Sequence, residues 1–259
     1  MKDSYMAVLD SGIGGISVLE RLIKLLPNEK FLYFGDNKNA PYGNKSEKEL
    51  LLLTLNNLNY LFKYRVKQIV FACNTLSVKV LPLLHNYINH DIDISYYGTM
   101  PPIELSTKNP NEKTILLCTC ATEEFYKEKS GNSNLVIIGF SDLAKDIEEN
   151  KFNLERVNFQ KHLYKEIEKR RLKLDKIDNV ILGCTHYHFI KNQILDHFRP
   201  KKIFDGGEIT ANKLLLDVGL TRITKKDSKN QVIFIGDNKR ENKRFFQKWL
   251  TIQNLQKKS

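Results

Sequence analysis

The sequence has few of the features that mark secreted or membrane proteins. It contains four cysteines in 259 residues, and no apolar stretch is long enough to span a bilayer. The first residues, MKDSYMAVLD, lack the basic-then-apolar pattern of a secretion signal. We therefore expect a cytoplasmic protein with no membrane partner, whose cysteines are free thiols because the cytosol is reducing.

Glycine and proline are also scarce, at 13 and 7 residues, while hydrophobic residues make up 41% of the chain and charged residues 27%. This composition excludes a disordered chain and is typical of a globular protein. The length exceeds that of a typical single domain, so we expect two lobes.

Acidic residues are outnumbered, since 41 lysines and arginines face 30 aspartates and glutamates and give a formal net charge of +11. A basic balance raises the question of nucleic-acid binding. The lysines are dispersed, however, and mostly interleaved with acids, as in KEIEKRRLKLDK at 165–176. We expect a solvated lysine-rich surface and no nucleic-acid site, with a positive potential that helps to attract an anionic substrate.

Short apolar runs alternate with longer amphipathic segments, a pattern typical of βαβ units and mainly parallel sheets. The predicted strands are 5–9, 30–34, 68–72, 93–97, 114–117, 135–138, 179–182, 202–204 and 231–235, and the predicted helices include 16–26, 47–64 and 158–172. The fold class is therefore α/β.

Three strand ends of the first half correspond to three in the second half. VLD at 8–10 matches LLC at 116–118, YFGD at 33–36 matches IIGF at 137–140, and FACNT at 71–75 matches LGCTH at 182–186. The correspondence predicts two similar lobes related by a pseudo-two-fold axis, with a ligand in the cleft between them, beyond the carboxyl ends of the strands. Weak self-similarity also arises by chance in α/β proteins, so the pattern alone leaves both interpretations open.

The segment DSGIGG at 10–15 stands between the first predicted strand and the first predicted helix. Glycines at such a turn let backbone N–H groups approach an anion. The spacing differs from the dinucleotide pattern G-x-G-x-x-G, and Asp10 would repel a pyrophosphate. The alternative is structural, with Asp10 or Ser11 capping the helix.

Two cysteines occupy equivalent places in the repeat, in ACNT at 72–75 and GCTHY at 183–187. A cysteine between a strand and a helix feels the helix N-terminus, which lowers the thiol pKa. A lone cysteine of this kind is more often a small buried hydrophobe. Two at matching strand ends, Cys73 and Cys184, favour a pair that flanks one cleft, with neighbouring asparagine and threonine side chains able to bind carboxylates.

Thiol and imidazole groups also cluster along the chain, at Cys118, Cys120, Cys184, His186 and His188. Structural zinc sites use C-x₂-C pairs or similar spacings, and none is present. We therefore predict no metal site.

Four motifs in this order, DSGIGG, APYGNKS at 40–46, FACNT and LGCTHY, resemble those of glutamate racemases in the aspartate/glutamate racemase superfamily. The likeness runs from residue 7 to about residue 210. It implies an α/β domain made of 1–97 plus 207–259, a second made of 98–206, and a homodimer. It also implies no cofactor, no metal, and a role in supplying D-glutamate for peptidoglycan.

Carried over by position, Cys73 and Cys184 match the family's acid/base cysteines, and Asp10 and His186 match the residues that assist proton transfer at them. The matching substrate contacts are Ser11, Tyr42, Gly43, Asn74, Thr75, Thr185 and His186. Glu148 matches a further acidic group, although its local context is poor.

Three departures affect the predicted pocket: His188 where the family usually has proline, the segment CTCAT at 118–122, and GTMPP at 98–102. They leave open an aspartate racemase or a broader acidic amino-acid racemase. A non-catalytic relative that binds a ligand or nucleic acid is the alternative from another class.

Overall fold

The computed structural model describes residues 4–88, 93–106, 109–127, 134–218 and 231–256. Within these ranges the strands are β1 Tyr5–Asp10, β2 Lys30–Gly35, β3 Val66–Phe71, β4 Ser95–Gly98, β5 Thr114–Thr119, β6 Leu135–Phe140, β7 Asn179–Gly183, β8 Lys202–Asp205 and β9 Gln231–Ile235. Every predicted strand is confirmed, and the differences are confined to strand ends.

The α-helices alternate with these strands. They are α1 Ile16–Leu25, α2 Glu47–Leu61, α3 Asn74–Lys79, α4 Ile103–Ser106, α5 Cys120–Lys127, α6 Leu143–Glu149, α7 Phe159–Arg170, α8 Lys191–Phe198, α9 Gly206–Val218 and α10 Lys239–Gln256. Short 3-10 helices follow β2 at Asn37–Asn39 and β7 at Thr185–Ile190. Ser46 caps α2 and forms a capping box with Glu49, because each side chain bonds the other residue's backbone N–H.

The strands form two separate parallel sheets. The first has the order β4-β3-β1-β2-β9 and the second the order β6-β5-β7-β8. Strands β1 and β5 are almost wholly buried, as expected for sheets covered on both faces. The prediction of an α/β protein with two parallel-sheet lobes is therefore confirmed.

The strand order repeats between the sheets, since β4-β3-β1-β2 corresponds to β8-β7-β5-β6 read in the same direction. This agrees with the three motif pairs of the sequence. The pseudo-two-fold axis and the domain boundaries 1–97 with 207–259 and 98–206 stay predictions. The chain after residue 230 returns to the first sheet, because β9 pairs with β2.

One of the hydrophobic clusters spans both halves of the molecule, each half being one sheet with its helices. A single cluster joins Val8 and Tyr33 of the first sheet to Leu117 and Ile138 of the second. The last helix lies across this junction, where Trp249 donates a 2.6 Å hydrogen bond to Glu20 of α1 and packs against the ring of Phe189 at 4.9 Å. In the described ranges no helix combines the length and apolarity needed to cross a bilayer.

Candidate active site

The carboxyl ends of β1, β3 and β7 bring the predicted chemical groups together. Asp10 is the last residue of β1, while Cys73 and Cys184 follow β3 and β7 within two residues. Each cysteine directly precedes a helix, α3 for Cys73 and the 3-10 helix Thr185–Ile190 for Cys184. The predicted placement at strand ends is therefore confirmed.

Cys73 and Cys184 line the same small cavity between the two halves of the molecule. Its walls are Ser11, Pro41, Tyr42, Gly43, Cys73, Asn74, Thr75, Thr119, Ala144, Cys184, Thr185 and His186. The cavity thus brings together all the predicted site residues except Asp10, which is completely buried next to it. Both thiols are free and buried.

A line of polar groups leads away from Cys184. Its Sγ lies 3.9 Å from Nδ1 of His186, whose Nε2 donates a 2.8 Å hydrogen bond to Glu148. Glu148 belongs to α6, and its carboxylate also accepts from the backbone N–H of Ile13 at 3.1 Å and from Asn37. The carboxylate is thereby held between the two halves of the molecule.

Burial and neighbouring charges shift the pKa values of His186 and Glu148. Burial lowers the pKa of His186, but Cys184 and Glu148 raise it by more, so that it lies well above its ordinary value. Burial raises the pKa of Glu148, but the hydrogen-bonded His186 lowers it by more. The pKa of Glu148 therefore lies below its ordinary value. An imidazolium beside a sulfur can donate a proton to it or stabilise a thiolate.

Cys73 has the opposite surroundings. Burial and the nearby Asp10 carboxylate raise the pKa of this thiol, and hydrogen bonds from the Leu76 backbone and the Ser11 side chain offset only part of the rise. The prediction that a helix N-terminus lowers this pKa was wrong, because burial and Asp10 raise it by more than the six-residue α3 can lower it. Burial and Asp10 therefore favour the protonated form of Cys73.

Asp10 interacts with both sides of the site. Its carboxylate accepts from the Gly12 N–H at 3.0 Å and from the Thr185 hydroxyl at 3.2 Å. It does not cap α1, whose N-cap is Gly15 without a side-chain bond. The capping alternative is thus wrong for Asp10. Burial raises its pKa to about 6, although His186 opposes the rise.

Replacing Asp10 by asparagine should stabilise the protein above pH 6. The folded-state pKa is about 6 against an ordinary 3.8, so ionised Asp10 destabilises the fold by about 3 kcal/mol. This penalty is absent below about pH 4, builds up between the two pKa values and is complete above about pH 6, because the folded state binds the proton more tightly than the unfolded chain. Urea unfolding of Asp10→Asn should show a larger gain at pH 8 than at pH 5.

Asp196→Asn, at an exposed position on α8, is the matched control and should change stability little at either pH. Equal stability of Asp10→Asn and the unmodified protein at pH 8 would contradict the prediction.

Two predicted substrate contacts use their polar groups elsewhere. The Asn74 side-chain N–H donates to the Thr99 carbonyl at 2.7 Å, and the Tyr42 hydroxyl donates to Asp36. The Asn74 amide keeps a second N–H and its oxygen for a ligand, whereas the Tyr42 hydroxyl has given its one proton to Asp36. The hydroxyl of Thr75 bonds that of Thr119 at 3.0 Å across the cavity.

Sequence reasoning missed Thr119 and gave little weight to Glu148. Thr119 lies in the segment 118–122, which departs from the family pattern, so no motif pointed to it. Glu148 carries no local signal because its partners Ile13 and His186 are distant in sequence.

The other thiols and imidazoles lie outside this cavity. Cys118 is buried at the end of β5, and Cys120 is the first residue of α5. His188 lies against the ring of Trp249, 3.4 Å from Nη2 of Arg21, and burial together with Arg21 lowers its pKa to about 4. Among the residues described, no three His, Cys, Asp or Glu side chains are grouped so as to hold a metal ion.

Comparison with known proteins gives a consistent result, although no protein-family model matches the chain. The chain is 35% identical over 222 residues to glutamate racemase of Clostridium acetobutylicum, covering 83% of this chain and 84% of that protein. It is 35% identical over 251 residues to glutamate racemase of Clostridium botulinum, covering 92% and 93%. The crystal structure of glutamate racemase from Thermus thermophilus in complex with beta-chloro-D-alanine matches with a TM-score of 0.74 and 27% identity, over 95% of this chain and 93% of that one. The chain therefore belongs to the glutamate racemase family, whose members are isomerases that act on amino acids.

Proposed function

We propose that this protein interconverts L-glutamate and D-glutamate without a cofactor, by moving the α-proton between the substrate and the thiols of Cys73 and Cys184. The observation that carries the proposal is the single cavity lined by both thiols. The names of the relatives supply the substrate.

The chemistry explains why two thiols are needed. An α-proton is very weakly acidic, so its removal requires a close base and stabilisation of the developing carbanion. Inversion also requires an acid on the opposite face of the same carbon. Two thiols that line one cavity meet both demands when the substrate carbon lies between them.

The resemblance to glutamate racemases assigns Cys184 to L-glutamate and Cys73 to D-glutamate, and the partners of the two thiols support these roles. Cys184 removes the proton of L-glutamate, with the protonated His186 beside it to stabilise the thiolate. Cys73, whose pKa is raised by burial and Asp10, is protonated and ready to donate to the opposite face. In the reverse direction the roles exchange, and Asp10, with a pKa near 6, is placed to accept the Cys73 proton.

Neutral donors hold the two substrate carboxylates. The hydroxyls of Ser11, Thr75 and Thr185 and the main chain at Gly43 and Asn74 border the cavity. The threonine hydroxyls bond Thr119 and Asp10 in this structure, and in the proposal they turn to the substrate when it binds. Hydrogen-bond donors at the starts of helices suffice to bind anions.

Substrate binding requires the cavity walls to move apart. The cavity has a volume of about 10 Å³, room for about one water molecule. Glu148 and its bonds to Ile13 and Asn37 join the two halves at this place. We propose that the halves separate to admit glutamate and then close, which excludes water from the reacting carbon.

The family relation also supports a cellular role. We propose that the protein supplies D-glutamate for peptidoglycan and acts as a homodimer. The proposed reaction needs neither a membrane nor a nucleic acid as a partner, because glutamate is a small soluble substrate.

The function is tested by incubating the reduced, chelator-treated protein with L-glutamate in D₂O. We expect D-glutamate that carries deuterium at Cα, because the product proton comes from a thiol that exchanges with solvent. Chiral chromatography with mass spectrometry measures both outcomes at once. Product that retains protium would indicate a single shuttled proton, and absence of D-glutamate would reject the function.

The same assay with L-aspartate and a panel of other L-amino acids separates the substrate alternatives. Racemisation of aspartate at a rate comparable to glutamate would favour the broader acidic amino-acid racemase.

A further inference from the structure

A buried carboxylate outside the cavity is bonded to one of the residues that line it. Asp36 directly follows β2 and is 7% exposed, while Tyr42, which lines the cavity, is 1% exposed. The phenol hydroxyl of Tyr42 donates to Asp36 Oδ2. Asp36 is absent from the cavity walls, so its effect on a substrate is indirect, and Tyr42 is the wall residue that bonds its carboxylate.

The hydroxyl is held from two sides. Asn57 of α2 donates to the Tyr42 hydroxyl at 3.1 Å, and Asn39 donates to the Asp36 carboxylate at 2.9 Å. Burial and the Asp36 carboxylate raise the pKa of the Tyr42 phenol, so it remains a neutral donor. The Tyr42 hydroxyl and the Asp36 carboxylate thus both have hydrogen-bond partners. A buried network of this kind holds its side chains in one arrangement.

The network is also hydrogen-bonded to strand β1. The Asp36 N–H donates to the Asp10 carbonyl at 3.0 Å, which places Asp36 beside the end of β1. Two hydrogen bonds, from Asp36 N–H to Asp10 and from the Tyr42 hydroxyl to Asp36, thus link the position of Tyr42 to that of Asp10.

The residue after Tyr42 is held by the other half of the molecule. The Gly43 carbonyl accepts from the Ala121 N–H at 3.0 Å. A methyl group at Gly43 would lie 2.6 Å from the Thr119 side chain, so this contact leaves no free space. Any shift of Tyr42 therefore changes the cavity wall at Gly43.

We propose that Asp36 is a positioning residue, which sets the place of the substrate-binding segment Tyr42–Gly43 through the Tyr42 hydroxyl. This rests on the proposed function, in which that segment binds a glutamate carboxylate. We assign the segment to the side-chain carboxylate, which is not bonded to the reacting carbon and keeps its charge during proton transfer, so the segment contributes equally to the ground state and the transition state. Loss of its placement raises KM and leaves kcat largely unchanged.

The test compares Tyr42→Phe and Asp36→Asn with Tyr60→Phe. Tyr60 lies on α2 like Asn57, but its hydroxyl faces that of Tyr64, so the control removes a phenol hydroxyl that does not bond Asp36. For both test variants we expect KM to rise about tenfold in both directions, with kcat within about twofold of the unmodified protein. The control should keep both constants.

Steady-state rates from L-glutamate and from D-glutamate give the two constants, and circular dichroism checks the fold. Tyr42→Phe decides the question if Asp36→Asn does not fold, because it keeps the carboxylate and its amide donors. An unchanged KM in Tyr42→Phe, a loss confined to kcat, or failure of Tyr42→Phe to fold would overturn the proposal. If the unmodified protein and the control do not racemise glutamate, the proposed function fails instead.

Discussion

Replacing either Cys73 or Cys184 by alanine should abolish racemisation in both directions. Each direction needs one thiolate and one thiol on opposite faces of the carbon, so one sulfur cannot complete the inversion. We expect kcat/KM to fall by at least about 10³-fold from L-glutamate and from D-glutamate alike. A coupled assay specific for each enantiomer measures both directions.

The single-thiol variants also allow a sharper measurement. Cys73→Ala keeps Cys184 and His186, so in D₂O it should slowly exchange the α-proton of L-glutamate without inverting the centre. Cys184→Ala should instead exchange the α-proton of D-glutamate. The same enantiomer exchanging in both variants would contradict the assignment of faces.

Cys120→Ala is the control for these variants. Cys120 is partly buried at the start of α5 and lies outside the cavity. It should racemise glutamate at the native rate. Near-native activity in Cys73→Ala or Cys184→Ala would reject the two-thiol mechanism.

Replacing Glu148 by glutamine should slow the reaction from L-glutamate by about 10²-fold. Glu148 accepts the hydrogen bond from His186 Nε2 and is one of the groups that raise the pKa of this imidazole. Without the carboxylate charge that pKa falls, and His186 becomes neutral at a lower pH. The imidazolium that faces Cys184 is then lost at a lower pH than in the unmodified protein.

The pH dependence identifies the cause. Activity from L-glutamate depends on protonated His186, so it should decline as the pH rises through the imidazole pKa. In Glu148→Gln this decline should begin at lower pH than in the unmodified protein. Profiles of kcat/KM against pH for both proteins provide the measurement.

The neighbouring Glu149 supplies the matched control. It is exposed on the same helix and faces Lys145 at 3.8 Å. Glu149→Gln should leave the rate and the pH profile unchanged. A profile of Glu148→Gln that falls in amplitude without moving along the pH axis would indicate a structural role for the carboxylate.

Much of the fold followed from local patterns. Apolar runs of strand length, separated by helical segments, predicted all strands of both sheets. The repeat of FACNT and LGCTH placed Cys73 and Cys184 at equivalent strand ends, and the parallel order of the sheets confirms it. These features depend on backbone periodicity and on neighbours in the chain, which a sequence displays directly.

Electrostatics could not be predicted in the same way. A cysteine before a helix suggested a lowered pKa at both positions, yet burial and Asp10 raise the pKa of Cys73. The sequence named Tyr42 as a substrate contact without indicating which of its atoms is used, and only the structure shows that its hydroxyl bonds Asp36. The pKa of Cys73 depends on burial and on Asp10, and the bond of the Tyr42 hydroxyl depends on where Asp36 lies. The local sequence specifies neither.

The sequence by itself determined that the protein is α/β, that its two thiols end matching strands, and that its motifs belong with glutamate racemases. Only the tertiary structure decided which charged group stands beside each thiol. The bonds from Thr185 to Asp10 and from Ile13 to Glu148 join residues 175 and 135 positions apart. Such contacts arise when the two sheets pack against each other. No local sequence pattern predicts their distances or how far each group is removed from water.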